Sequence, residues 1–177
     1  MTYDQFASAL EDLEAQGMTG LVIDLRDNPG GNLDTVCDIL DLILPEGTIV
    51  STKDKNGEGE TYTSDEEHKL EIPLSVLTNG NSASASEIFA GAVQDYGVGT
   101  LVGTTTFGKG IVQQIFPLTD GTSIKLTISE YFTPKGRNIH GTGIDPDVEV
   151  EYEYNEEDPA ADNQLEKAIE IVKGNGM

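Results

Sequence analysis

Three serines alternate with alanines in NGNSASASEIFAGA, residues 79–92, just ahead of an apolar, helix-like stretch. Ser84-Ala85-Ser86-Glu87 fits a capping box, in which a helix-start serine accepts from the amide three residues on and the glutamate reaches back. From spacing alone, that cap is the simpler reading. The same geometry can also do chemistry. A strand-like IPLSVLT delivers the chain to a tight NGN turn, and a serine emerges where helix-start amides have no helical partner. Such amides can stabilise an oxyanion. The arrangement is that of a nucleophile elbow, although G-x-S-x-G itself is absent.

A serine hydroxyl is a poor nucleophile without a base. The two histidines, His68 and His140, stand in polar, turn-like contexts. A lysine can serve if burial favours its neutral form. Most of the ten basic residues lie in solvated stretches, but Lys109 stands between Gly108 and Gly110, beside Phe107 and after a buried-strand pattern. Alone, it reads as an exposed turn lysine. Amides for a developing negative charge can come from NPGG, Asn28 to Gly31, at the end of GLVIDLR; alone, that stretch reads as a plain turn. Cys37, the single cysteine, sits in LDTVCDILDLIL and reads as a small buried hydrophobe.

Two other stretches imitate binding motifs. GTTTFGKG, residues 103–110, nearly spells a phosphate-binding loop, but Gly110 stands where a magnesium-holding hydroxyl belongs. The next stretch, IVQQIFPL, is strand-like where that motif needs a helix. DKNGEGETYTSD, residues 54–65, outlines a calcium loop, yet Glu58, Asp65 and strand-like flanks favour a solvated hairpin tip.

The elements that must position these residues can be read from periodicity. Phe6, Leu10 and Leu13 recur at helical spacing until Gly17. GLVIDL, IPLSVLT and GTLVGT are continuous apolar runs of the kind buried parallel strands show. A second helix is expected over roughly Leu33 to Leu44, stopped by Pro45, and a third runs to about Tyr96. GTIVST and TYTS read as strands around the KDKNGEGE tip. IVQQIFPL and SIKLTISEYF form a hairpin across TDG, VEVEYEY a strand, and NQLEKAIEIV a closing helix. Strand–helix alternation followed by a β-rich half predicts an α/β fold with a largely parallel sheet, as one domain over 1–177.

Ten Lys and Arg against 32 Asp and Glu leave a net charge of −22. That balance argues against nucleic acid or an anionic membrane surface as partner, because phosphate binding needs clustered cations. No apolar run is long enough for a membrane span. No signal peptide is visible in the amphipathic, acidic MTYDQFASALEDLEAQG.

Taken together, GLVIDLRDNPGGNLD, LTNGNSASASEIFAGAVQDY, LVGTTTFGKGIVQ, YFTPKGRNIHGTGIDPDVEV and DNQLEKAI resemble, in that order, the segments of a carboxyl-terminal processing peptidase, or tail-specific protease. The resemblance implies a ClpP/crotonase-like α/β core. It implies a serine endopeptidase acting on protein or peptide substrates near their C-termini, without cofactor or metal. Carried over by position, Ser84 is the nucleophile, Lys109 its general base, and Gln113 the residue that orients the lysine. If Lys109 begins a strand, residues 109, 111 and 113 share a face. The oxyanion hole is implied to join the amide of Ala85 to that of Gly30 or Gly31, the choice staying open. The family pattern also carries an earlier strand, a PDZ domain and an export signal or anchor, none of which is in this sequence. An extracytoplasmic location is implied by the resemblance alone, and a homo-oligomer stays open. Two other readings remain: an inactive peptide-binding or scaffold fragment, and a nucleotide-binding domain through GTTTFGKG.

Overall fold

GLVIDL, IPLSVLT and GTLVGT are largely apolar because the strands they form are covered on both faces. A computed structural model describes residues 2–65 and 67–174. In chain order the elements are α1 (Thr2–Ala15), β1 (Leu21–Asp24), α2 (Leu33–Asp41), β2 (Gly47–Lys53), β3 (Thr61–Ser64), β4 (Leu74–Thr78), α3 (Ala85–Tyr96), β5 (Thr100–Gly103), β6 (Ile111–Pro117), β7 (Ser123–Phe132), β8 (Val148–Glu149) and α4 (Asn163–Gly174). One sheet is all parallel, in the order β1-β4-β5-β8. The other is antiparallel, β3-β2-β7-β6. The expected α/β architecture with a β-rich second half is what forms.

Side-chain alternation divides the parallel sheet between two apolar layers. Leu21, Ile23, Leu74, Val76 and Leu101 join the large core with α2, α3 and the inner face of β2. Val22, Leu77, Val102 and Val148 face Leu165, Ala168 and Ile171 of α4. Chain direction then puts the C-terminal ends of β1, β4 and β5 on one side, where the NPGG turn, the serine turn and the lysine segment leave the sheet. Ligand chemistry in open α/β sheets gathers at that side.

Two elements differ from the sequence expectation. The apolar pattern of the second helix runs to Leu44, but α2 ends at Asp41. The Leu42 and Ile43 amides instead close tighter turns onto Ile39 and Leu40 (3.2 and 3.0 Å), while Ile43 and Leu44 stay buried. The period there reports burial, which outlasts the helix. VEVEYEY yields only two strand residues, because side chains at the start of α4 take the next carbonyls. Gln164 Nε2 donates to Val150 (2.6 Å) and Asn163 Nδ2 to Glu151 (2.7 Å). The β6–β7 hairpin forms across TDG as expected, and much of it projects from the core, leaving Ile115, Phe116, Ile124, Leu126 and Ile128 exposed. Among the described residues, no helix is long and apolar enough to cross a membrane.

Arg26, just after β1, locks α4 in place. Its guanidinium bonds Asp24, Asp162 and Gln164 at 2.7–3.2 Å. The same guanidinium holds the Asp162 carboxyl below its ordinary value of 3.8. A carboxyl depressed in the folded state stabilises above its unfolded value and loses that contribution as pH falls through the folded one. Acid unfolding followed by circular dichroism is therefore expected to steepen below about pH 4, and Asp162→Asn to flatten that part of the curve.

Candidate active site

The three serines are not equivalent. Ser82 Oγ donates to the Leu25 carbonyl (2.7 Å) and accepts from the Asn79 amide (2.9 Å). Ser86 Oγ donates to the Asn28 carbonyl (3.0 Å). Both hydroxyls thereby fasten the serine turn to the end of β1 and the NPGG turn. Ser84 Oγ makes no cap hydrogen bond. The Glu87 amide, within reach of it as a capping box requires, bonds the Ser84 carbonyl instead (2.8 Å). Of the three hydroxyls, only that of Ser84 lacks a hydrogen-bond partner among the described residues.

Ser84 also sits at φ 57° and ψ −116°, a combination that residues with a Cβ rarely adopt. Such a conformation costs about 1–3 kcal/mol and persists only where neighbours enforce it. Here the Ser84 amide donates to Glu87 Oε2 (2.9 Å), and the Tyr131 hydroxyl donates to the Ser84 carbonyl (3.1 Å). One residue earlier, the Ala83 amide donates to the Asn28 carbonyl (3.0 Å). Burial, and then the nearby Glu87, push the Tyr131 phenol well above its ordinary value, so it stays a donor.

Glu87 is fully buried, and its two oxygens accept from four donors. Besides the Ser84 amide these are the Thr106 hydroxyl (2.6 Å) and the amides of Gly108 (2.7 Å) and Lys109 (2.8 Å). One side chain thus joins the serine turn to the lysine loop. It also occupies the amides that GTTTFGKG would have offered a phosphate, and a strand, not a helix, comes after that loop.

Ser84, Ala85, Gly31, Lys109, Gln113 and Tyr131 line one cavity of about 360 Å³. Ser84 and Lys109 are both half-buried there. No hydrogen bond joins Ser84 Oγ to Lys109 Nζ among the described residues. Lys109 precedes β6, which begins at Ile111, and Gln113 Nε2 donates to Thr127 Oγ1 (3.4 Å) across the hairpin. Gln113 therefore shares the cavity with Lys109 without bonding it. The Ala85 and Gly31 amides have no hydrogen-bond partner among the described residues, whereas the Gly30 amide donates to Asn28 Oδ1 (2.9 Å). Gly30 is needed for another reason. At φ 86° it lies so close to the serine turn that a Cβ would stand 2.4 Å from the Ala83 carbonyl oxygen. A Cβ on Gly31 would meet open space. Gly30, Gly31 and Ala85 also border a second, apolar cavity of about 440 Å³ that contains Phe6, Val36 and Phe89.

Cys37 is buried, and burial followed by Asp34 and Asp38 pushes its thiol up to about 12, which leaves it inert as a nucleophile. Sequence reasoning missed Thr106 and Tyr131 as parts of the site, and took Asn28 only as the start of the NPGG turn. The S-x-x-E pattern flagged Glu87, but only as a helix-start stabiliser.

The sequence model of peptidase family S41 matches residues 1–150. The chain belongs to this family. Over 175 residues this S41 chain is 46% identical to a carboxyl-terminal-processing protease of Synechocystis, covering 97% of itself and 41% of that relative. It is 44% identical over 150 residues to the carboxy-terminal processing protease CtpB of Bacillus subtilis, covering 84% of itself and 31% of CtpB. Its fold matches the structure of a photosystem II D1 C-terminal processing protease with a TM-score of 0.78 at 34% identity, over 96% of this chain and 43% of that one. The S41 chain thus spans less than half the length of these relatives.

Two substitutions test how the turn is held. Glu87→Gln turns one acceptor oxygen into a donor facing donors, and is expected to cost about 3 kcal/mol or more in denaturant unfolding. Ser84→Gly relieves the backbone strain and is expected to raise stability by about 1 kcal/mol over Ser84→Ala, which keeps it.

Proposed function

We propose that this chain is the catalytic core, a single domain over 1–177, of a serine endopeptidase that cleaves proteins at or near their C-termini. The observation that carries the reading is the unbonded Ser84 hydroxyl on a strained turn, opening with Lys109 onto one cavity. Ser84 is the nucleophile and Lys109 the base. As Ser84 Oγ attacks the carbonyl carbon, its proton passes to Lys109 Nζ. The tetrahedral oxyanion is held by the Ala85 amide, at the positive end of α3, and by that of Gly31. Gly31 is preferred to Gly30 because the Gly30 amide is already bonded to Asn28. Collapse breaks the C–N bond, and Lys109 returns the proton to the leaving amine. Water then gives a proton to Lys109 and attacks the acyl-enzyme, and the proton returns to Ser84 Oγ as the ester breaks. Gln113, in the same cavity, orients the amine once substrate draws Lys109 inward. The relatives' names support the C-terminal preference, and the family likeness supports an extracytoplasmic location.

One observation favours a second reading. The absent Ser84–Lys109 hydrogen bond suits an inactive peptide-binding module of such a protease. Hydrolysis of an unstructured protein separates the two. Ser84→Ala and Lys109→Ala are each expected to lower kcat/KM by about 10³-fold or more. Lys109→Arg is expected to fail equally, because a guanidinium does not give up its proton. Full activity in either alanine variant overturns the dyad, and peptide binding without turnover supports the second reading.

A further inference from the structure

We propose that Tyr131 is a positioning residue for the reaction: its hydroxyl aims and polarises the peptide group whose other end is the Ala85 amide. This deepens the peptidase reading above and rests on it. The Ser84 carbonyl and the Ala85 N–H belong to one planar trans peptide, so they point in opposite directions and move as a unit. Whatever holds the carbonyl therefore sets where the amide points. Three donors hold it. Two are the amides of Glu87 and Ile88, at 2.8 and 3.0 Å, which close the first turn of α3 onto its cap residue. The third, the Tyr131 hydroxyl at 3.1 Å, comes from β7 in the antiparallel sheet. A helix supplies the first two bonds to its cap carbonyl in any sequence. The third belongs to no helix, and it falls on the one peptide that carries the Ala85 amide.

Tyr131 is itself firmly held. Its side chain is buried, its backbone pairs with Thr52 of β2, and its amide donates to the Gly110 carbonyl (3.1 Å), next to Lys109. One residue thus reaches from the lysine segment to the serine turn. At the far end of the peptide the Ala85 amide is kept clear. A Cβ on Gly30 would stand 2.6 Å from the Ala85 nitrogen, and glycine has none. Ala85 and Tyr131 both line the cavity that Ser84 and Lys109 share. The chemical consequence follows from polarisation. A carbonyl that accepts hydrogen bonds draws charge from its own peptide nitrogen, and linked bonds strengthen one another by roughly 10–30% each. The Ala85 amide becomes a stronger donor where negative charge develops in the transition state. Such a gain raises kcat and leaves ground-state affinity alone. Loss of the hydroxyl would weaken this donor without removing it. The carbonyl would still accept from Glu87 and Ile88, so no buried group is orphaned.

The test is Tyr131→Phe in the whole chain, which keeps the buried ring and removes only the donor. With an unstructured peptide as substrate, kcat is expected to fall about tenfold at unchanged KM, short of the roughly 10²–10³-fold loss when an oxyanion donor is removed outright. Affinity for a peptide aldehyde, which adds reversibly to Ser84 Oγ as a tetrahedral hemiacetal, is expected to fall by the same factor. A second readout needs no turnover. In the chain carrying Ser84→Ala, Tyr131→Phe is expected to move the Ala85 amide proton resonance to lower frequency and to leave that of Gly31 in place. Unchanged kcat, a change confined to KM, or an unmoved Ala85 resonance overturns the proposal. So does an equal displacement of the Gly31 and Ala85 resonances, which would mark a general loosening of the turns. The two readings fail separately. A wild-type chain that cleaves nothing while the Ala85 resonance moves sinks the peptidase and supports the hold of Tyr131 on the peptide. An active wild-type chain whose Ala85 resonance stays put sinks the role of Tyr131 alone.

Discussion

The site depends on one buried carboxylate. Glu87 accepts from the Ser84 amide and from the amides of Gly108 and Lys109, segments that leave β4 and β5 separately. Without it, buried donors on two loops would have nothing to bond, and each such loss costs about 1–3 kcal/mol. The same three bonds fix where Ser84 and Lys109 begin relative to each other. Thr106 extends the link, since its hydroxyl donates to Glu87 and accepts from the Ile144 amide (2.8 Å). The long turn-rich segment after β7 is thereby tied to the same carboxylate.

A backbone held off its preferred conformation needs support on several sides. Ser84 has Glu87 at its amide, Tyr131 at its carbonyl and Gly30 pressed against its Cβ. On the solvent side, Asp27, itself at φ 57°, ties the two turns together. Its Oδ1 accepts from Asn81 (2.7 Å) and Asn79 (3.1 Å), which hold that carboxyl below its ordinary value. Ser82 and Ser86 contribute by giving up their hydroxyls to carbonyls of the β1 end and the NPGG turn. There remains one unbonded hydroxyl beside two unbonded amides, a combination suited to attack on a carbonyl.

Much of this was legible in the sequence, for identifiable reasons. The buried strands announced themselves because apolar runs report two-sided burial, and S-x-x-E marked the start of α3. The ends of α2 and β8 were not legible. Leu42 to Leu44 keep the apolar spacing after the helix stops, and VEVEYEY loses its pairing to side chains from α4. The wider role of Glu87 was hidden because three of its donors lie about twenty residues further on. Tyr131 left no local signal, since its bond to Ser84 spans 47 residues. The proposed preference for Gly31 over Gly30 left no mark in the sequence, since it rests on the Gly30 amide being bonded to Asn28.

The central proposal is that the turn held by Glu87 presents Ser84, and no other serine, as a nucleophile activated by Lys109. Reaction with a fluorophosphonate followed by peptide mapping reads this directly, because the reagent marks a serine only when its hydroxyl is activated. The predicted result is a single adduct on Ser84 that disappears in Lys109→Ala. An adduct on Ser82 or Ser86, or undiminished labelling of Ser84 without Lys109, would contradict it.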